Sequence, residues 1–126
     1  MKRKWAPRQY LICWGPPLTW MALIFTLSSQ SKLPTPPQPL VAQLLQVGGH
    51  MIAFGVLLLL LLRSMKSTWP GQKVASWALL VTLLYALADE YHQSFVPGRN
   101  ATLLDVAVDV AGMLLSLGIL TWWQTR

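Results

Sequence analysis

Acidic side chains are scarce in this chain. Four Asp and Glu stand against ten Lys and Arg, and charged residues fill only 11% of 126 positions while 54% are hydrophobic. A soluble domain of this size would be hard to keep in water with so little charge, so lipid is the expected solvent. Cysteine is nearly missing too. Cys13 stands alone, which excludes an intramolecular disulfide and leaves the redox compartment open; it reads as a small residue on a helix face. Standard processing signals are also incomplete. The basic opening MKRKWAPR before an apolar stretch is also how a secretory leader begins, but no A-x-A site follows and the stretch ends in FTLSSQSK, so a retained helix is expected. No internal repeat or second domain is evident. The basic residues lie at the ends of apolar segments and form no continuous patch, which argues against a nucleic-acid partner and for membrane topology.

Long apolar stretches are what the chain does have. Leu57 to Leu62 is an unbroken leucine run, and from Leu40 to Leu62 only His50 can carry charge. About 20 apolar residues span a hydrocarbon core, and four segments meet that length. The expected fold class is all-α, a four-transmembrane-helix bundle forming one domain over residues 1–126, with helices at about 10–28, 40–62, 74–94 and 103–123. The third is the least apolar and spans only if its polar end lies at or just under the interface. Between the first two helices, LPTPPQP favours a semi-rigid polyproline crossing. Lys2, Arg3, Lys4, Arg8, Arg63, Lys66, Lys73 and Arg126 fall on one side of such a bundle, Lys32 and Arg99 on the other. The positive-inside rule then places both termini in the cytoplasm and the third connection outside. Trp69, Trp77, Trp122 and Trp123 suit the inner interfacial belt.

All four carboxylates, Asp89, Glu90, Asp105 and Asp109, fall within ALADEYHQSFVPGRNATLLDVAVDVAG, residues 86–112. At 1.5 Å per residue, His50, Asp89 and Asp109 each lie roughly 20 Å from the cytoplasmic end of their helix, so three helices deliver a polar group to one depth. Asp105 lies one turn above Asp109, and Asp89, His92 and Gln93 share a face beside Glu90. Ser28, Ser29 and Gln30 end the first helix on the same side. Ionisable groups in lipid are costly unless they face a partner or water, so one polar cavity opening outward is expected. Arg99, the lone outer arginine, is the expected bidentate partner of Asp89, Glu90 or Asp105, and a purely structural salt-bridge network is the competing explanation. VPGRN reads as a type II turn, with Asn100 or Thr102 capping the fourth helix. Gly48 and Gly49 offer close helix packing beside His50, and Gly112 with Ser116 forms a small-residue stripe.

The run DEYHQSFVPGRNATLLDVAVDVAG resembles the signature of the VanZ-like family. That signature has an Asp-Glu, a Gln three residues on, a Phe-x-Pro-Gly-Arg turn, an Asp six residues beyond the Arg, and then an Asn and a Gly. These fall on Asp89, Glu90, Gln93, Phe95, Pro97, Gly98, Arg99, Asp105 and Gly112. Ser28 to Gln30 and His50 match weaker family features. Asp109 stands where the family usually has Asn. The resemblance implies a small bacterial four-helix protein of the cytoplasmic membrane, in a family whose namesake is linked to low-level resistance to teicoplanin, a lipid-tailed glycopeptide acting at the cell envelope.

Three functions follow from these residues. The first is an enzyme acting on an envelope lipid or lipid-linked cell-wall precursor. Asp89 and Glu90 would serve as acid and base, with His50 and Asp105 beside them, and Arg99, Gln93, His92, Ser29, Gln30 and Asp109 would bind substrate. The second is a binding or barrier protein that recognises a membrane lipid, a cell-wall precursor or a lipoglycopeptide without turnover. The third is proton-coupled transport, for which four short helices leave little room. Ser28, Ser29 and Ser94 lack a nucleophile elbow, so covalent catalysis has little support. No cofactor is expected. Asp89, His92, Asp105 and His50 are ligand types suited to Zn²⁺ or Mg²⁺, yet their spacing matches no standard metal motif. Oligomeric state is left open.

Overall fold

The structure, a computed structural model, describes residues 5–126. Lys2, Arg3 and Lys4, which weigh in the orientation count, lie outside the described residues. Four α-helices follow in order: α1 (Pro7–Ser28), α2 (Pro39–Thr68), α3 (Val74–Gln93) and α4 (Leu103–Gln124), each long and apolar enough to cross a membrane. There is no strand among the described residues.

Three helices match their expected spans closely, and α2 does not. It runs six residues past Leu62, so the expected end at the first charge is corrected. Arg63 is exposed and does not interrupt the backbone, because its side chain can reach polar surroundings while the helix continues. The turn beyond it is held by Ser64, buried against α1, and the helix stops where the Trp69 N–H bonds the Met65 carbonyl ahead of Pro70.

Successive helices run antiparallel. α1 meets α2 through the Trp20 indole N–H on the Ala53 carbonyl (2.8 Å), and α3 through the Tyr85 hydroxyl on the Met21 carbonyl (2.6 Å). α2 packs against all three other helices, whereas α1 and α4 stand at opposite corners and share no contact among the described residues. The distribution of polarity is that of a membrane bundle. Leu11, Leu18, Leu44, Ile52, Leu84 and Leu114 are exposed, while Thr82, Asp89, Glu90, Gln93 and Asp109 are buried. In water this arrangement would be costly, and in lipid it leaves the apolar side chains in their own solvent. Phe54, Leu57, Leu58, Leu61, Leu62 and Ala78 fill the core on the side away from the acids. Trp69, Trp77, Trp122 and Trp123 are exposed at the end where α2 and α4 finish and α3 begins.

Two local devices set the helix positions. Pro17, inside α1, has no N–H, so the Cys13 carbonyl one turn earlier loses its intrahelical donor. The Ser64 hydroxyl on α2 donates to that carbonyl at 2.6 Å, and the Cys13 thiol in turn points to the Ser64 carbonyl at 3.6 Å. The reading of Cys13 as a small packed residue therefore holds. The second device joins α2 to α4. A Cβ on Gly112 would collide with the Met51 backbone, and one on Gly55 would lie 3.0 Å from the Gly112 carbonyl oxygen, so these backbones touch directly.

Ser64→Ala leaves the Cys13 carbonyl without a donor in a dry interior, and thermal unfolding in detergent should show a loss of about 1–3 kcal/mol. Gly112→Ala forces α2 and α4 apart, with an expected cost of about 1–3 kcal/mol in the same assay.

Candidate functional site

The close approach at Gly112 brings together the residues around it. His50 precedes Met51 on α2, and Asp109 lies one turn before Gly112 on α4. The His50 Nδ1 and Asp109 Oδ1 are 2.8 Å apart, and Asp109 is fully buried at 0% exposure. Of the three residues expected at one depth, His50 and Asp109 are in direct contact, and Asp109 is paired with His50. Glu90 on α3 completes the group: one donor atom from each of His50, Glu90 and Asp109 lies within 4.8 Å of the other two. Glu90 Oε2 accepts the Thr102 backbone N–H at 3.1 Å. Glu90 Oε1 and Asp109 Oδ2 are buried with no hydrogen-bond partner.

Asp89 faces elsewhere. The Gln93 side-chain amide donates to Asp89 Oδ2 at 3.0 Å and to the Ser28 hydroxyl at 3.2 Å, tying the end of α3 to the end of α1. Asp89 Oδ1 is buried without a partner. His92 does not join this face. Its ring stacks on Phe25, with centroids 4.5 Å apart, and its Nδ1 is buried and unpartnered. The i, i+4 pair of Asp89 and Gln93 turns inward, whereas His92, one residue short of Gln93, is rotated by about 100° onto the flank of α1.

Arg99 requires a correction. It forms no ion pair with Asp89, Glu90 or Asp105. Its Nε donates to the Gln30 carbonyl and a terminal nitrogen to the Leu27 carbonyl, both at 2.9 Å. The last carbonyls of a helix lack intrahelical donors and carry the negative end of its dipole, so the guanidinium caps α1 instead. The turn that aims it is the expected one: the Arg99 N–H bonds the Val96 carbonyl at 3.2 Å across Pro97 and Gly98, and Gly98 takes φ +80°. His50–Asp109 is the sole acid–base contact at salt-bridge distance among the described residues, an ion pair when His50 is protonated. The competing salt-bridge network therefore reduces to that single pair.

The remaining candidates separate in the same way. Thr102, rather than Asn100, caps α4: its hydroxyl accepts the Asp105 N–H at 3.3 Å and donates to Asp105 Oδ2 at 2.9 Å, which draws Asp105 into the cap. Ser29 is exposed with its hydroxyl on the Phe25 carbonyl, and the exposed Gln30 meets Arg99 through its backbone. Ser28 is the serine that faces inward. It could have been found in sequence as the next member of the buried stripe Cys13, Pro17 and Ile24. Gly48 and Gly49 do not serve close packing, since a Cβ on either would meet nothing within 4 Å.

A partly open cavity of about 750 Å³ lies between the ends of α1 and α3, the facing stretch of α2 and the proline-rich crossing. His50, Asp89, Gln93 and Ser28 give it a polar part, with Arg99 at its edge; Ile24, Leu33, Leu45 and Phe54 give it an apolar wall. Gly49 lines the same space, where its missing side chain keeps the wall low. His50 alone belongs both to this cavity and to the buried acid group beneath it. Such a site can hold a molecule with one polar end and one apolar end.

Arg99→Lys replaces a fork that bridges two carbonyls by a single ammonium. The unfolding midpoint in detergent should fall by an amount corresponding to about 1 kcal/mol, and further in Arg99→Ala.

A family model described as VanZ/LLP1 matches residues 13–124. Neither a curated protein nor a solved structure matches the chain.

Proposed function

The chain belongs to the VanZ/LLP1 family, and on that footing we propose that its cavity receives the headgroup of an envelope lipid or a lipid-linked cell-wall precursor. The protein sits in a bacterial cytoplasmic membrane with both termini inside and the cavity toward the outer surface. The observation that carries this reading is the cavity's division into a polar part, formed by His50, Asp89, Gln93 and Ser28, and an apolar wall. At about 750 Å³ its size falls in the range of small-molecule sites. The polar residues would hold the headgroup, and the wall would accept the first part of an acyl or prenyl chain.

Asp89 and His50 are the groups placed to exchange protons with a bound headgroup, because both line the cavity and Asp89 keeps one carboxylate oxygen free. Glu90 and Asp109 act through His50. Arg99 shapes the rim by fixing α1. A lipoglycopeptide such as teicoplanin presents the same combination of polar head and lipid tail, so altered tolerance of it follows from either a changed lipid target or direct capture. Retention of a headgroup without turnover is the second reading. It is favoured by the Gln93 amide, which engages both Asp89 and Ser28 and would have to release them for chemistry.

Lipid mass spectrometry on cells with and without the gene tests the proposal. A changed envelope lipid that reverts in Asp89→Asn and His50→Gln, at equal protein level, supports turnover. An unchanged lipidome with a lipid co-purifying in wild type and lost in those variants supports retention. Neither a changed lipidome nor a retained lipid would contradict both.

A further inference from the structure

Charge accounting around His50 leaves a deficit. Glu90 and Asp109 are both buried, and among the described residues no Lys or Arg pairs with either of them. Arg99, the nearest arginine in sequence, is committed to the carbonyls that end α1. Each acid uses one oxygen, on the Thr102 N–H and on His50 respectively, and leaves the other buried and unpartnered. Orphaned carboxylate oxygens in a dry interior are costly, and a native structure needs a reason for each of them. Here the two orphans belong to one group, with a donor atom from each residue within 4.8 Å of the other two.

We infer that His50, Glu90 and Asp109 bind one divalent transition-metal ion of the Zn²⁺ or Mn²⁺ type between α2, α3 and α4. Two carboxylates and a neutral imidazole carry two negative charges, which such an ion cancels. Metal–ligand bonds of about 2.0–2.2 Å place neighbouring ligands roughly 3–4 Å apart, so the His50–Asp109 contact, now 2.8 Å, opens slightly while donors spread over as much as 4.8 Å draw in around the ion. The mixed nitrogen and oxygen set suits Zn²⁺ or Mn²⁺; the absence of a thiolate disfavours Cu(I), and Mg²⁺ prefers oxygen ligands with several waters. Three protein ligands leave a coordination position for water or a substrate oxygen, as in catalytic sites. His50 is the ligand that also lines the cavity, so that position is reached from the cavity side.

The carboxylate of Asp109 matters on this reading, because an amide in its place would supply no negative charge to a cation. The ion site does not depend on the lipid proposal, because it can be measured on the protein without any lipid substrate.

The test uses the full chain purified in detergent, with metal content measured by plasma mass spectrometry and stability by thermal unfolding. About one ion per chain is expected, chelation should lower the midpoint by about 5 °C or more, and added Zn²⁺ or Mn²⁺ should restore it. His50→Gln, Glu90→Gln and Asp109→Asn should lose the ion, while Asp105→Asn, whose carboxylate belongs to the α4 cap, should keep it. Where a ligand variant does not fold, chelation and readdition on the wild-type chain decide the matter. No ion above background together with no midpoint shift on adding either metal overturns the inference and leaves protons to neutralise the acids. So does an ion retained equally by all three ligand variants.

Discussion

The contact between His50 and Asp109 is the interaction on which the rest of the arrangement depends. It lies where α2 and α4 touch backbone to backbone, so the imidazole and carboxylate are held by the same approach that Gly112 permits. Remove the glycine contact and the pair separates; remove the imidazole and a fully buried carboxylate loses its one side-chain partner. Glu90 stands beside the pair, and Thr102 donates to Glu90 while capping α4, so three helices meet at this group. A packing feature and an electrostatic feature are thus one constraint seen at two levels.

This constraint also explains why the bundle is polar at one end only. Toward the termini the interior is leucine, alanine and phenylalanine, and the buried hydroxyls of Ser64 and Thr82 are spent on backbone carbonyls. No chain of free polar groups continues from His50 through that half among the described residues, which favours a headgroup site over a transport path. Proline acts in a parallel way at the two ends. Pro17 frees a carbonyl that Ser64 uses to join α1 to α2, and the proline-rich crossing forms one wall of the cavity.

Hydropathy carried most of the fold, because crossing lipid demands long apolar helices and leaves few alternatives. The end of α2 was not legible, since a charge at an interface looks the same in sequence whether the helix stops or continues. Within the site, the Pro97–Gly98 turn and the Gly112 stripe could be read because local geometry fixes them. Arg99 was misassigned for a physical reason: the unmet carbonyls at a helix end are acceptors that no side-chain pattern reveals. Helical rise set His50 and Asp109 at one depth, but which faces meet across three helices is decided by packing, so Glu90 rather than Asp89 as their neighbour was not legible. Ser29 was favoured beside Gln30, yet a rotation of about 100° per residue separates it from Ser28, which alone faces Gln93.

A double-mutant cycle on unfolding free energy, with His50→Gln, Asp109→Asn and the double variant measured in the same detergent, tests the central claim most directly. If the pair anchors α2 to α4 and with it the site, the double variant should lose less stability than the two single losses combined. The expected coupling is about 1 kcal/mol or more, at the upper end for interactions between membrane helices. Additive losses within error would contradict the account.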